Sequence, residues 1–400
     1  MGLAGGLASD PHSPPPLQKF LQAILWATFF SIWLGSADPW WRPKEWALFS
    51  VGLSWLCWGR FSVSCSPKRR LSLYPSLLFG WVCLQFLLQQ VLPIVKTGEK
   101  FASSPWPWVV FLQLLVIWVW FTDAIQTLEL PDFKPIARTL ARIGAILSLY
   151  MVSQAAGFDP LLPVSKLIHS DIRWLHGNHV IGLMGNPFQA AACLAVCIPF
   201  LVALRWHLWA ILSLVAILAT QSTSGALAAL GGVWIVLWSQ KRTLTLRIYS
   251  VVLVGLIAYA VQHGLYLQMY GRPSILVETF SSWFKEFWTG VGLGNYKLLG
   301  IIDPTPPGYA VRWAHNEWAQ LGTELGVIGL ILTVLWMAKL FRASRTKWRA
   351  IPAEWIGAGT ATILLTPLNI PWHLAPTVCV TLLSLAVWTI TVNQEVDASG

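Results

Sequence analysis

Charged side chains are scarce in this sequence of 400 residues. They make up 11% of it, while hydrophobic residues make up 56% and the mean hydropathy is +0.59. A soluble domain carries roughly a quarter charged residues, so a soluble globular protein is excluded. The apolar residues form long continuous runs, as membrane-spanning helices of ~20 residues require, and not the short alternating runs of a barrel. The sequence therefore predicts an all-α, polytopic integral membrane protein.

The residues of several common kinds of site are also missing. No pair among the six cysteines has metal-site spacing with a histidine nearby, so we interpret them as small core residues. His176 and His179 are three apart, but the intervening Gly177-Asn178 favours a turn, and no metal site or cofactor is expected. The segment GVGLGNY at 290–296 lacks the GK[ST] of a nucleotide-binding loop. The net charge of +10 comes mostly from loop residues, so no nucleic-acid partner is expected.

The hydrophobic runs predict about twelve transmembrane helices. Residues 1–16, with glycine, serine and a proline triplet, are expected to be a disordered leader, and 17–400 a single transmembrane domain. The predicted spans lie near 20–35, 46–63, 72–94, 106–122, 137–156, 187–204, 208–222, 225–239, 247–262, 315–340, 354–370 and 373–391.

The basic residues of the short loops predict the orientation, because Lys and Arg concentrate on the cytoplasmic side. With about twelve spans, most of them fall on one side if both the N-terminus and the C-terminus are cytoplasmic. The two longest connections, 157–186 and 263–314, then lie on the outer, periplasmic side. Long ordered loops usually carry function, so these two connections are where a site is expected.

The stretch 312–330 holds the densest group of polar residues next to a predicted span. On a helix, His315 shares a face with Gly322 and Gly326, whose GxxxG spacing lets a neighbouring helix approach closely. Asn316, Gln320 and Glu324 form a second stripe. Ionisable groups inside a membrane segment are functional candidates. The alternative is that His315 and Asn316 only cap the helix while Glu324 pairs with a neighbour.

This stretch also resembles the His-Asn motif of the O-antigen ligase and O-antigen polymerase family. His315-Asn316 is followed after nine residues by Gly326-Val327-Ile328-Gly329, in the pattern of that motif. Four further segments resemble other family motifs in the same order along the chain. They are Asn186-Pro187, 222–227, Gly271-Arg272 and 290–296.

The resemblance implies an inverting glycosyltransferase in the bacterial cytoplasmic membrane, a multi-pass protein of cell-envelope polysaccharide or lipopolysaccharide biosynthesis. It would take glycan from an undecaprenyl-diphosphate donor and transfer or polymerise it onto a hydroxyl acceptor, a glycan or lipid, at the periplasmic face, without a metal. In that reaction His315 is the candidate catalytic base and Arg272 a candidate ligand of the diphosphate. The other candidate substrate-binding residues are Arg312, Asn316, Glu324 and Asn186. For Arg312, the alternative is an interfacial anchor.

The sequence departs from the family at three positions. Thr223 and His179 stand where the family usually has arginine, and Phe188 replaces a common asparagine. A lost arginine removes a planar, bidentate donor for the diphosphate. Either another basic residue of the outer loops, such as Lys166, Arg173 or Arg312, compensates for it, or the substrate differs.

Two other functions compete with glycan transfer. Some cyanobacterial relatives of the family are described as inorganic-carbon transporters, so a transporter of a small, bicarbonate-like anion or another solute is the alternative. Transporters tend to have repeated halves and polar sites near the midplane. Here no repeat is visible and the polar residues gather towards the outer face, which favours the enzyme. A structural scaffold would have no use for the His-Asn-Glu stretch.

Overall fold

The structure is a computed structural model of the chain. The described residues are 16–30, 73–91, 106–161, 180–240, 272–304, 307–311, 313–345, 347–367 and 375–393, with the single positions 44, 47 and 50. They form eleven α-helices: α1 Pro16–Phe30, α2 Leu73–Val91, α3 Trp106–Thr127, α4 Phe133–Ala155, α5 Pro187–Ala203, α6 His207–Ala219, α7 Thr223–Ser239, α8 Arg272–Lys285, α9 Glu317–Ser344, α10 Ala353–Leu365 and α11 Ala375–Asn393.

Three of these helical segments are long and apolar enough to cross a membrane, and several shorter helices are equally apolar. The three are Leu130–Ala155, Glu317–Ser344 and Pro376–Asn393. The all-α, apolar architecture agrees with the class predicted from composition. The predicted spans 46–63 and 247–262 lie outside the described helices.

Very short turns separate α5, α6 and α7, as the sequence predicted. Each turn contains a residue with positive φ, Arg205 at 63° and Gln221 at 58°. The helix starts carry caps that can be identified in the sequence. Asn186 accepts a hydrogen bond from the N–H of Phe188 at the start of α5, and Ser222 accepts one from Gly225 at the start of α7.

The core of the bundle is built from α5, α7 and α10. A Cβ on Gly225 would lie 2.5 Å from the Cβ of Ala191, so α5 and α7 nearly touch at their first turns. Further along, a Cβ on Gly232 would lie 3.1 Å from Pro199 and 2.8 Å from the carbonyl oxygen of Gly357. α5 and α7 are therefore parallel, and α10 packs beside both of them.

The direction of α10 defines two ends of the bundle. Gly357, in its first half, contacts Val236 near the end of α7, and Leu364, at its end, meets Gly231. α10 is therefore antiparallel to α7, and its C-terminus lies at the end where α5 and α7 begin. α9 begins there too, because the N–H of Glu317 donates to the carbonyl oxygen of Thr366. We call this end of the bundle the site end.

A two-stranded antiparallel sheet and the preceding segment occupy the predicted outer connection 263–314. β1 is Ile302–Pro304 and β2 is Pro307–Ala310, with Ile302 opposite Ala310. α8 packs against α9 and contacts β1. The connection thus carries secondary structure of its own next to the start of α9.

α9 is interrupted at Gly326. Its φ of 68° and ψ of −176° are non-helical, so the segment consists of a first part, 317–325, and a second part, 327–344. The predicted span near 315–340 corresponds to Glu317–Ser344, which is long and apolar enough to cross a membrane, but its helix is broken at Gly326. The predicted close approach of a neighbouring helix is confirmed at Gly322, whose Cβ would lie 2.9 Å from the Trp283 ring of α8. The prediction is wrong at Gly326, because this residue breaks the helix.

Candidate functional site

Asn316 is the N-cap of α9. Its Oδ1 accepts a hydrogen bond from the N–H of Ala319 at 3.0 Å, and its Nδ2 donates to the carbonyl oxygen of Pro367 at 3.1 Å. The neighbouring Trp318 donates from Nε1 to the hydroxyl of Thr366 at 3.0 Å. The start of α9 is therefore fixed to the end of α10. The capping interpretation of Asn316 is confirmed, and a substrate would have to share its side chain with this cap.

His315 directly precedes the cap and is half-buried. Its φ is 53°, in the left-handed region that non-glycine residues rarely adopt. Such a conformation costs about 1–3 kcal/mol and persists only where the surrounding structure enforces it. The predicted placement on the helix face of Gly322 is wrong, because His315 lies before the first helical turn. It lies instead on a constrained turn at the site end.

Glu324 is fully buried and is the centre of a hydrogen-bonded chain. Its Oε1 accepts from Nε2 of Gln320 at 3.1 Å, and its Oε2 accepts from the N–H of Gly294 at 3.0 Å. Gln320 in turn accepts, through Oε1, from the N–H of Ala314 at 2.9 Å. Because Ala314 adjoins His315, this chain links the turn that carries the histidine to the loop that contains Gly294.

The glycine-rich loop 290–294 wraps around the end of the first part of α9. Gly290, Gly292 and Gly294 all have positive φ, between 67° and 93°. The N–H of Val291 donates to the carbonyl oxygen of Thr323, and that of Gly292 to the carbonyl oxygen of Glu324, each at 2.8 Å. With Gly294 bound to the Glu324 carboxylate, three amides of this loop are directed at α9. They are not available as a phosphate cradle.

Two side chains of α2 complete the junction at the helix break. Trp81 donates from Nε1 to the carbonyl oxygen of Leu325 at 3.0 Å, and Gln85 donates from Nε2 to that of Glu324 at 3.0 Å. Gln85 also donates to the carbonyl oxygen of Thr289. These two residues are not among the site residues predicted from the sequence. Their polar groups one turn apart in an apolar run were the available signal.

Tyr296 connects the segment after the glycine-rich loop with α8. Its hydroxyl lies 2.6 Å from the Thr279 hydroxyl, and both residues are buried. Burial raises the pKa of the Tyr296 phenol above its usual value; the Thr279 hydrogen bond lowers it somewhat, and the carboxylates of Glu324 and Glu278 raise it again. Tyr296 is therefore a neutral hydrogen-bonding group at neutral pH.

The remaining predicted site residues are placed only in part. Asn186 lies at the site end, where its Oδ1 serves the cap of α5. Arg272 is the first residue of α8, and its side chain lies outside the described part of the chain, as do the whole of Arg312 and His179. Thr223, which stands where the family usually has arginine, is the first residue of α7. Of the six predicted residues, the structure joins His315, Asn316 and Glu324 in one segment.

No model of a known protein family matches the chain, and no curated protein matches it. The resemblance to the O-antigen ligase and polymerase family stays a prediction.

Proposed function

We propose that the chain is an inverting membrane glycosyltransferase of the O-antigen ligase type. It would transfer or polymerise glycan from an undecaprenyl-diphosphate donor onto a hydroxyl acceptor at the periplasmic face of the bacterial cytoplasmic membrane. The observation that carries the proposal is the conformation of His315, which is half-buried and has a φ of 53°. The residues on both sides hold it in place, because the N–H of Ala314 is bonded to Gln320 and Asn316 caps α9. Strain of this kind clusters at active sites.

In the proposed reaction His315 acts as a general base. A neutral imidazole, with a reference pKa of about 6.5, accepts the acceptor's hydroxyl proton as its oxygen attacks the anomeric carbon. The bond from that carbon to the diphosphate oxygen breaks, and the lipid diphosphate leaves with the bonding electrons. The new glycosidic bond forms on the opposite face, so the configuration is inverted.

The leaving diphosphate needs fixed positive charge, and the site end supplies part of it through backbone. α5, α7 and α9 all begin at this end, and helix N-termini carry about half a positive charge each. Anions are favoured at such ends. Arg272 and Arg312 are the proposed side-chain ligands. The partial positive charge of the three helix N-termini offsets part of the charge that is missing because Thr223 stands where the family usually has arginine.

The directions of the described helices support the proposed orientation, with twelve spans and both termini cytoplasmic. Met151, near the end of α4, lies with Ala190 of α5 around Gly182 at the site end, so the start of α4, with Lys134 and Arg138, lies at the opposite end. The opposite end also holds the turn with Arg205 and the end of α9 with Lys339 and Arg342. Basic residues concentrate on the cytoplasmic side. Reporter fusions after Ser239 and after Arg349 are expected to report cytoplasm. A periplasmic signal from either one would reverse the orientation and move the site to the wrong face.

Purified protein in lipid vesicles, supplied with a glycan on undecaprenyl diphosphate and a hydroxyl acceptor, tests the enzyme directly. We expect a glycosylated acceptor and one released lipid diphosphate for each glycan transferred. Arg272→Lys keeps the charge but loses the planar fork, so its transfer should be poor. Full transfer by Arg272→Lys at normal abundance would contradict the role of Arg272 as a diphosphate ligand.

The break at Gly326 bears on the alternative function, that of a transporter of a small anion or another solute. Discontinuous helices with exposed backbone carbonyls are typical of ion-coupled transporters. Here the carbonyl oxygens of Thr323, Glu324 and Leu325 accept hydrogen bonds from Val291, Gly292, Gln85 and Trp81. An ion would have to displace these donors, so the break serves the transporter poorly. Solute uptake by the vesicles, without glycan transfer, would establish it nevertheless.

A further inference from the structure

The exposed side of α8 is divided along its length into an apolar and a polar strip. Val277 and Phe284 are each 69% exposed, and Phe280, on the same strip, is 40% exposed. Trp288, just beyond the helix, is 67% exposed. Ser274, Glu278, Ser281 and Lys285 form the polar strip beside them and are also exposed. The third side of the helix, with Ile275 and Thr279, is buried against the protein.

A hydrogen bond connects the segment that follows α8 with Gln85 of α2. Thr289 follows Trp288 and accepts a hydrogen bond from Gln85 of α2. On α2, Leu84 and Leu87, close to Gln85 in the sequence, are 47% and 57% exposed. α2 belongs to the apolar helices of the bundle. The end of α8 is therefore held next to an apolar helix that exposes leucines of its own.

We propose that the strip formed by Val277, Phe280, Phe284 and Trp288 is immersed in the acyl chains of the outer leaflet of the membrane. α8 then lies in the interface, with its polar strip among the lipid headgroups. A helix with one apolar and one charged exposed edge is suited to this position, and aromatic side chains are enriched there. The proposal rests on the membrane placement given above and is independent of glycan transfer.

The choice of lipid over a protein partner follows from the pattern of the surface. A protein-protein interface has an apolar centre surrounded by a polar rim. The strip has a polar edge on one side, and its end is bonded to α2, an apolar helix with exposed leucines. This one-sided pattern fits a boundary between hydrocarbon and headgroups. Because Arg272 is the first residue of α8, an interfacial α8 keeps it near headgroup height, where the phosphate of a lipid-linked donor lies.

The full-length protein in vesicles provides the test. An environment-sensitive fluorescent amino acid is placed, one position at a time, at Val277, Phe284, Glu278 and Leu84. Two quenchers are compared, brominated phospholipid acyl chains and iodide in the water. We expect the brominated chains to quench the probes at Val277, Phe284 and Leu84 strongly, with blue-shifted emission. The probe at Glu278, exposed on the adjacent strip, should be quenched mainly by iodide.

The reference at Leu84 separates the possible failures. Iodide quenching at Val277 and Phe284, with bromine quenching at Leu84, would overturn the proposal and leave the membrane placement intact. Protection of Val277 and Phe284 from both quenchers would show that protein covers the strip, a second copy or another partner, and would also overturn it. Lack of bromine quenching at Leu84 would remove the membrane placement itself. The same probes in His315→Asn should give unchanged quenching, because lipid contact does not depend on transfer.

Discussion

The α5–α7–α10 core and the junction of α2, α8 and α9 both depend on glycine, but they use it in different ways. In the core, Gly225, Gly232 and Gly357 have helical backbone and let helices nearly touch. In the junction, Gly290 and Gly326 have positive φ and let the chain leave regular structure. The first arrangement brings helix backbones into close contact, whereas the second leaves backbone N–H and C=O groups free to bond with partners outside the helix.

The difference explains where polar chemistry is possible in a largely apolar protein. Close helix packing satisfies every backbone group inside its own helix and leaves nothing to recruit a polar side chain. The broken helix releases carbonyl oxygens that must be paired, because an unpaired buried polar group costs about 1–3 kcal/mol. The partners that pair them, Gln85, Trp81 and the glycine loop, bring α2 and the connection 263–314 against Glu324.

The largest expected effect on stability comes from Gly326→Ala. The alanine would be strained at a φ of 68°, which costs about 1–3 kcal/mol. Its Cβ would also overlap the carbonyl group of Trp288 and lie 2.7 Å from the amide nitrogen of Gly290, and such overpacking costs a further 1–3 kcal/mol or so. Thermal unfolding in detergent should show a loss of roughly 2–6 kcal/mol, the sum of the two terms.

Two controls in the same assay sharpen the comparison. Gly80→Ala lies on α2 with open space around its Cβ, so it should leave stability unchanged or raise it by up to about 1 kcal/mol. Gly232→Ala should lose about 1–3 kcal/mol through overpacking alone. Equal losses for Gly326→Ala and Gly80→Ala would mean that the break in α9 does not exist.

A smaller effect is expected for Glu324→Gln. The two carboxylate oxygens accept hydrogen bonds from Gln320 and from Gly294, and an amide can accept only one of these. One buried donor is left unpaired, at a cost of about 1–3 kcal/mol. The rate of glycan transfer should fall by more than the loss of folded protein explains, because the link between the His315 turn and the glycine loop is lost. The exposed Glu278→Gln is the matched control, and a similar response of the two variants would contradict a role for Glu324 in the junction.

The smallest expected effect is that of Asn316→Ala, which removes the cap of α9. Loss of an N-cap typically costs about 1 kcal/mol of stability. Asn316→Ser restores a capping oxygen but not the donor to Pro367, so it should recover most of the stability. If Asn316→Ser regains stability without regaining transfer, the side chain also has a role towards substrate. Full recovery of both would limit Asn316 to capping.

The sequence was sufficient for the parts of the fold that depend on local signals. Long apolar runs located the described helices, and the capping alternative for Asn316 depends only on residues a few positions away. Asn186 is predicted as a substrate-binding residue, whereas the structure shows that it caps α5. The prediction from sequence failed at Gly326, because the spacing Gly322-x-x-x-Gly326 is equally compatible with a helix-packing face and with a break in the helix. The deciding groups, Gln85 and Trp81, are 239 and 244 residues away in the chain from the carbonyl groups they bind. Local patterns carry no information on such partners.

The most direct test of the account is glycan transfer by two matched histidine variants. Asparagine tolerates the left-handed conformation of His315 but has no basic nitrogen, so His315→Asn removes the base without the strain of other substitutions. His207→Asn alters an exposed histidine at the opposite end of the bundle. With purified protein, lipid-diphosphate donor and acceptor, we expect His207→Asn to transfer glycan at the unmodified rate. His315→Asn should be slower by about 100-fold to 10,000-fold at unchanged stability. Transfer by His315→Asn at the unmodified rate would contradict the assignment of the site.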